Sequence, residues 1–365
     1  MIAWVATYAG ALDLPQAFPP VLWHGHEMVF GFAVAAACGF LLTAVPTWTG
    51  TPPIKGGPLA VLVALWLAGR AAFWLAGALP PIMVALADLP LVPVLAFMVS
   101  RRIMSTGNRR NYIFPVILGM MFAANLLIHL EALQVTGESA MTGLRLAVYV
   151  FVLLLTLISG RVVPSFTANA LKTHPEVKPV RSNPLIEKLA LVSIIAAAGA
   201  DLAGLNSAFA GTLAIAASLV LAFRMRHWQS LETLDQPILW VLHLGHAWIP
   251  VGFACLGLSR LTGVIGPGTA LHAFTAGAFG TMVLAMMTRA ALGHTGRPIE
   301  AARPIVGAYL LVTLAALLRV FGPPLAPFAG DFPIVVSGLM WAAAYGVFTV
   351  VYWPVLTRPS IGGED

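Results

Sequence analysis

The chain has 365 residues, of which 59% are hydrophobic and only 9% are charged. A soluble domain carries about 25% charged residues, so this composition excludes a soluble globular protein and predicts a polytopic membrane protein. The formal net charge is +6, but the basic residues lie in short loops between apolar segments, so no nucleic-acid partner is expected. We therefore expect residues 1–365 to form a single all-α transmembrane helical bundle in the lipid bilayer.

The apolar runs, taken in chain order, predict eleven full spans plus a partial first helix. Residues 1–12 are apolar but too short to span, and we expect them to be the end of a first helix whose start this chain lacks. A full span needs about 20 apolar residues, and joins rich in Pro and Gly separate the runs. The predicted spans are 24–45, 58–79, 82–100, 111–133, 141–159, 185–205, 207–224, 237–258, 269–289, 303–321 and 332–356.

Basic residues predict the orientation of the chain. Alternate loops carry Arg101, Arg102, Arg109 and Arg110; Arg161, Lys172, Lys178 and Arg181; Arg224 and Arg226; Arg289, Arg297 and Arg303; and Arg358. The loops between them hold little beyond Arg145, Arg260 and Glu138. Because cytoplasmic loops are enriched in Lys and Arg, the first set and the C-terminus are predicted to be cytoplasmic.

The stretch from Trp23 to Gly50 begins with three ionisable residues, His24, His26 and Glu27, and has no further charge. Ionisable groups in a span cost about 2.5–3.5 kcal/mol each at its centre, so a partner or a function is expected. Residues two apart on a helix point in nearly opposite directions. Either His24 lies on non-helical backbone, or the two histidines serve different neighbours.

The predicted topology places four histidines at one depth. His24, His26 and His272 begin spans at the outer face, and His129 ends a span there. Imidazole suits iron, copper and zinc, so these four residues are candidate metal ligands. Glu27 lies beside them and is a candidate for proton transfer to a bound metal.

A second pair of histidines lies in WVLHLGHAWIPVG. His243 and His246 are three apart on one helix face, where they can chelate a metal or supply one ligand and its supporting partner. Arg161 and Arg289 close neighbouring spans at the same end, where they either pair with haem propionates or only mark the inner boundary. No Cys-x-x-Cys-His motif is present, so any haem is non-covalent, of the b type.

Two further patterns concern pairs of positions. Arg70 and Asp88 flank the Pro80-Pro81 turn at similar distances, so we expect them to neutralise each other. The segments 26–50 and 272–296 both run from His to Thr-Gly over one spacing, and both carry Gly at the sixth position. This second pattern leaves an internal duplication open.

Four motifs resemble the NnrS family of bacterial membrane proteins. They are WHGHEMVFGF, GFLLTAVPTWTG, SGRVVPSFTANAL and HAFTAGAFGTMVLAMMTRAALGHTGRP, and the resemblance extends from about residue 21 to the last span. It implies a twelve-helix inner-membrane protein that binds haem and copper. It also implies a role in nitric oxide metabolism or resistance, in bacteria with denitrification or nitrosative stress.

Individual positions of the family motifs can be matched to residues of this chain. The HxHEM head of the family matches His24, His26, Glu27 and Met28; its Gly-Arg-Val-hydrophobic-Pro element matches Gly160, Arg161, Val162, Val163 and Pro164; its late helix matches His272, Thr288 and Arg289, with His294 in the next loop. These matches imply cofactor-binding roles for Arg161, Arg289 and His294. The chain departs from the family in its short first helix and at His246, where many members have Tyr, which favours His243 as the ligand of that pair.

Two functions follow from these residues. The first is a haem and copper protein that binds nitric oxide and either protects other metal sites or reduces the gas as a haem-dependent reductase. Reduction needs two electrons and two protons, and because no Gly-rich nucleotide loop is present, a membrane quinol is the expected donor. The alternative is a transporter of copper or of another small solute that uses the same histidines.

Overall fold

A computed structural model describes residues 1–13, 18–173 and 176–361. Within these ranges the chain forms helices and no strand, which confirms the predicted all-α class. The helices are α1 (Ile2–Tyr8), α2 (Pro20–His26), α3 (Val34–Thr49), α4 (Gly57–Trp74), α5 (Pro81–Asp88), α6 (Leu91–Ser105), α7 (Ile113–Ala132), α8 (Ser139–Ala170), α9 (Pro184–Leu202), α10 (Ser207–Arg224), α11 (Pro237–Thr262), α12 (Pro267–His272), α13 (Gly280–His294), α14 (Arg303–Leu325) and α15 (Phe332–Thr357). Two π-helical segments, Glu27–Ala33 and Ala273–Phe279, join α2 to α3 and α12 to α13.

Local sequence explains where many of these helices begin. Proline occupies the first position of five of them, at Pro20, Pro81, Pro184, Pro237 and Pro267. Its fixed φ suits the first turn, and its missing N–H would have no helical partner there. Asn183 and Asn206 cap α9 and α10, since each side-chain oxygen accepts a hydrogen bond from the backbone N–H two residues later, at 2.9 Å in both cases.

Ten helical segments of the described chain are long and apolar enough to cross a membrane, so this is a multi-pass membrane protein. They are Pro20–Thr49, Gly57–Trp74, Pro81–Ser105, Arg109–Ala132, Ser139–Ala170, Ser207–His227, Pro237–Thr262, Pro267–His294, Arg303–Leu325 and Phe332–Thr357. Each coincides with a predicted span. The predicted count of eleven is not confirmed, and the predicted partial helix corresponds to α1, which has seven residues.

The remaining predicted span, 185–205, is helix α9, and its composition is the reason that it is not among the ten. It carries three charged residues, Glu187, Lys188 and Asp201. In the structure Arg224 of α10 forms an ion pair with Glu187. Arg260 of α11 forms another with Asp201, with 2.5 Å between Nη2 and Oδ1. Two of the three charges are therefore neutralised by neighbouring helices.

The chain forms two compact units. One comprises residues 6–154, which include α2 to α7 and the first half of α8. The other comprises residues 1–5 and 155–365, which include the rest of α8 and the helices that follow it. The sequence-based expectation of one bundle over 1–365 stays a prediction.

The two segments that share the His-to-Gly spacing also share their local structure. In each, a short α-helix ends at a histidine, a seven-residue π-helical segment follows, and a longer α-helix continues the span. The π segments are Glu27–Ala33 and Ala273–Phe279, so each begins one residue after its histidine. π-Helical turns are rare in proteins, and those that occur are often found at functional sites. The repeated order supports the internal duplication that the sequence left open.

Candidate metal centre

The candidate site lies in the unit formed by residues 6–154, against one face of α4. Trp66 and Arg70 are four residues apart and Gly69 and Phe73 are four residues apart, so these two pairs lie on one side of this helix. They face the π segment, Asp88 and His26, and residues from α2, α5 and α7 complete the site.

Three metal-ligating side chains meet at this face. His26 ends α2, Asp88 ends α5 and His129 lies near the end of α7. The Nε2 atoms of the two histidines lie 3.1 Å and 3.0 Å from the same carboxylate oxygen, Oδ2 of Asp88. All three residues are buried, and their candidate ligand atoms lie within 4.8 Å of one another.

Asn125 is the fourth polar residue of this cluster. Its Nδ2 donates to Asp88 Oδ2 at 2.7 Å, and its Oδ1 lies 3.0 Å from His26 Nε2, which donates to it. Asn125 and His129 are four residues apart on α7, so one helix face presents both side chains. The spacing of these two residues was a sequence signal that our prediction missed.

Arg70 connects the cluster to Glu27. Its guanidinium forms ion pairs with Oδ1 of Asp88 and with Oε1 of Glu27. The predicted pairing of Arg70 with Asp88 is therefore confirmed, and Glu27 is a second partner that the sequence did not indicate. Glu27 Oε1 also lies 3.7 Å from His26 Nδ1, too far for a hydrogen bond.

Aromatic packing holds the two imidazole rings in place. The His26 ring stacks on Phe73, with centroids 3.6 Å apart and planes inclined by 7°. The His129 ring meets the edge of Phe73 at 5.8 Å. Phe18 also stacks on Phe73, with ring centroids 4.8 Å apart, and Phe73 is fully buried. The rings are therefore fixed before any ligand binds.

The π-helical segment positions Glu27 against α4. At its end the Val34 N–H bonds to Val29 O, five residues earlier, which shifts the usual pattern of backbone bonding. Trp66 Nε1 donates to the carbonyl oxygen of Gly31 at 2.7 Å. Trp66 and Arg70 are one turn apart on α4, so they hold the π segment at Gly31 and at Glu27.

The donor set of this cluster fits a metal ion. Around a tetrahedral ion with bonds of about 2.0–2.1 Å, adjacent ligand atoms lie about 3.3 Å apart, close to the two N···O distances observed. Two imidazoles and a carboxylate suit copper, iron and zinc. The Nδ1 atoms of His26 and His129 are buried and have no hydrogen-bond partner in the described residues.

A second cluster, in the unit that contains residues 155–361, includes both histidines of α11. Ser159 donates its hydroxyl hydrogen to Leu155 O at 2.6 Å, so its oxygen accepts the hydrogen bond from His246 Nδ1 at 2.7 Å. The Nε2 atom of His246 therefore carries a lone pair. It is buried and has no hydrogen-bond partner in the part of the chain that the structure describes.

His243 is bonded at both nitrogens. Thr167 donates to Val163 O at 2.9 Å, so its oxygen accepts the hydrogen bond from His243 Nε2 at 2.8 Å. The other nitrogen, Nδ1, then accepts from Ser230 Oγ at 2.9 Å. Both nitrogens of His243 are occupied, whereas His246 presents an open lone pair.

Trp228 and Arg224 complete this second cluster. The Trp228 ring is fully buried and lies 4.6 Å from the ring of His246. The Arg224 guanidinium lies over Trp228 at 5.5 Å and donates to Thr156 O at 3.1 Å. Gly160 makes room for it, because a Cβ at this position would overlap the guanidinium.

The other predicted site residues have separate surroundings. His24 lies within helical α2, which excludes the alternative of non-helical backbone at this residue. His272 donates Nδ1–H to Gly268 O at 2.6 Å in the unit of residues 155–361, and its convergence with His26 stays a prediction. Arg289 lies over the Phe166 ring at 3.9 Å. Arg161 is half-buried in α8, and His294 is exposed at the end of α13.

Comparison with known proteins gives one match. The family model described as "NnrS protein" matches residues 1–360, essentially the whole chain. No curated protein and no solved structure matches the chain.

Gly69 of α4 provides a test of the cluster geometry. A Cβ at this position would lie 2.9 Å from Oδ1 and 3.1 Å from Cα of Asp88. We expect Gly69→Ala to displace Asp88 and to weaken Zn²⁺ binding by about 10- to 100-fold, the range typical for residues that position ligands. The measurement is competition with a chelating dye on purified protein. Gly119→Ala on α7 is the control, since nothing lies within 4 Å of its added Cβ; equal affinities in both variants would contradict the geometry.

Proposed function

This chain belongs to the NnrS family, and from that premise we propose that it is a haem and copper protein that binds nitric oxide in the membrane. The observation that carries the proposal is the cluster of His26, Asp88 and His129, buried within a multi-pass helical protein. Ligand groups of this kind are costly inside a bilayer unless they bind a metal or one another. We place the copper ion between these three residues.

The charge of the cluster supports a cation at this place. Asp88 and Glu27 contribute two negative charges, and Arg70 contributes one positive charge. These three side chains therefore carry a net negative charge in a low-dielectric environment. A cation bound at the two Nε2 atoms and Asp88 Oδ2 offsets that charge, and imidazole is a good ligand for copper.

We propose that the unit of residues 155–361 would hold haem b, with the His246 imidazole as a ligand to its iron. The support is the buried, unpartnered Nε2 and the hydrogen bond from Nδ1–H to Ser159, the arrangement that orients metal-bound imidazoles. When bound, the haem would supply an iron that binds nitric oxide. His243 would hold this part of α11 in place through its hydrogen bonds with Thr167 and Ser230.

Arginine and histidine side chains are the proposed partners of the haem propionates. Arg161 lies on α8, the helix that also carries Ser159. Arg289 lies over Phe166, the residue before Thr167. Guanidinium groups bind carboxylates through paired hydrogen bonds. His294 is exposed at the end of the helix that carries Arg289, so it can reach only a propionate at the edge of the site.

Reduction of nitric oxide is the catalytic form of this proposal. Two molecules of nitric oxide, two electrons and two protons give nitrous oxide and water. A quinol of the membrane would supply both electrons and both protons on oxidation to the quinone. Glu27, which is partly exposed and contacts Arg70, is the proposed proton carrier to the cluster. Without turnover, the same sites would protect other proteins by retaining nitric oxide.

We further propose that the chain lies in the bacterial inner membrane with eleven full spans and a cytoplasmic C-terminus. The support is the distribution of basic loops and the pairing of Glu187 and Asp201 with arginines, which lowers the cost of placing α9 in the bilayer. With eleven spans, residues 178 and 205 lie on opposite sides of the membrane.

The first prediction concerns the copper site. We expect His26→Ala and His129→Ala each to lose bound copper, because each removes one of three ligands, whereas exposed His227→Ala keeps it. Metal content is measured by mass spectrometry on purified protein. Full copper content in both ligand variants would refute the site, and copper flux into vesicles without nitric oxide binding would favour the transporter instead.

The second prediction separates the two histidines of α11. We expect His246→Ala to abolish the Soret band and its shift on addition of nitric oxide, since it removes the open Nε2. His243→Ala should retain a Soret band, because both nitrogens of His243 already bond to protein. Visible spectra of purified variants test this. A band lost in His243→Ala and kept in His246→Ala would reverse the assignment.

The third prediction concerns α9. In a chain with Cys38→Ala and Cys255→Ala, we introduce Lys178→Cys or Leu205→Cys, one on each side of α9. In intact cells a membrane-impermeant maleimide should label position 205 and not position 178, because a helix of 19 residues spans about 28 Å. Labelling of both positions from outside would show that α9 does not cross the membrane.

A further inference from the structure

We infer that Glu27 is the hydrogen-bond acceptor that orients His26 when a metal ion occupies the His26–Asp88–His129 cluster. This inference rests on the proposed metal centre. It gives Glu27 a positioning role that is separate from proton transfer.

The acceptors around the two imidazoles indicate where their hydrogens lie. Oδ2 of Asp88 is a carboxylate oxygen and can only accept, and Nε2 of both His26 and His129 lies within hydrogen-bond distance of it. Asn125 Oδ1, a second acceptor, lies 3.0 Å from His26 Nε2, which agrees with a hydrogen on that atom. These contacts put a hydrogen on Nε2 of each ring.

A metal ion that binds at Nε2 reverses this arrangement. The neutral ring then carries its hydrogen on Nδ1, and a buried N–H needs an acceptor. For His26 the nearest carboxylate oxygen is Oε1 of Glu27, at 3.7 Å. A shift of about 0.8 Å brings the two atoms to ordinary hydrogen-bond distance.

Arg70 holds Glu27 ready for this bond. One guanidinium pairs with both the ligand Asp88 and the proposed acceptor Glu27, so it fixes the two carboxylates relative to each other. Trp66, one turn earlier on α4, secures the π segment that Glu27 begins. His129 Nδ1 has no hydrogen-bond partner in the described part of the chain, so the orienting contact is specific to His26.

Three roles for Glu27 predict different effects of substitution on metal binding. As an acceptor, Glu27 can be replaced by Gln, whose amide oxygen also accepts, but not by Ala. As a counter-ion for Arg70 alone, it cannot be replaced by either. As a proton carrier alone, it can be replaced by both without effect on metal binding. Glu27→Asp keeps the charge but shortens the side chain, so only the acceptor role predicts that it binds metal poorly.

The experiment measures Zn²⁺ affinity of the purified full-length chain by competition with a chelating dye. We expect Glu27→Gln to remain within about 3-fold of the wild type, and Glu27→Ala and Glu27→Asp to bind about 10- to 100-fold more weakly. Glu232→Gln, at an exposed acid, is the control. The electron paramagnetic resonance spectrum of bound Cu²⁺ should change in Glu27→Ala and stay unchanged in Glu27→Gln. Helix content by circular dichroism is compared for every variant, and Glu27→Gln and Glu27→Asp test the inference if Glu27→Ala does not fold.

Three results would overturn the inference. Wild-type affinity in Glu27→Ala and Glu27→Asp would leave no positioning role, and equal loss in Glu27→Gln and Glu27→Ala would reduce Glu27 to a counter-ion. In both cases the metal centre itself stands if His26→Ala abolishes binding. If instead the wild type binds Zn²⁺ no better than His26→Ala, the proposed metal centre fails together with the inference.

Discussion

A buried carboxylate in an apolar helical protein needs hydrogen-bond or ionic partners at both of its oxygens, and this requirement organises the unit of residues 6–154. Asp88 meets it with Arg70 on one oxygen and with two histidines and an amide on the other. These partners come from α2, α4 and α7, and Asp88 itself lies on α5, so the bonding of one side chain brings four helices together. An unpaired charge at this depth would cost several kcal/mol.

The same requirement applies in the unit of residues 155–361, with a different outcome. There Glu187 pairs with Arg224 and Asp201 pairs with Arg260, and no histidine takes part in either ion pair. Histidines of α11 bond to serine and threonine hydroxyls of other segments. A hydroxyl has one hydrogen, and where that hydrogen goes to a backbone carbonyl, the imidazole must donate. Ordinary hydroxyl groups therefore determine which imidazole nitrogen has a free lone pair.

The two histidine clusters consequently offer different chemistry. The cluster around Asp88 offers two nitrogens and an oxygen, a donor set complete enough for a metal ion without further protein ligands. The cluster around Trp228 offers one bare nitrogen, which suits an ion whose other ligands belong to a cofactor. This contrast supports copper in one unit and haem in the other.

From the sequence alone, composition and apolar run length determined the membrane class and ten of the spans, because a bilayer demands long apolar helices whatever their packing. The sequence motifs identified the family, and the depth of the histidines in the predicted topology indicated His26 and His129 as candidate ligands. Asp88 was predicted only as the partner of Arg70, and Asn125 was missed. Which side chains share a ligand set was decided only by tertiary structure, since the partners of Asp88 are distant in the chain and meet through helix packing. The same holds for His246, whose open nitrogen depends on Ser159, a residue of another helix whose position no local pattern encodes.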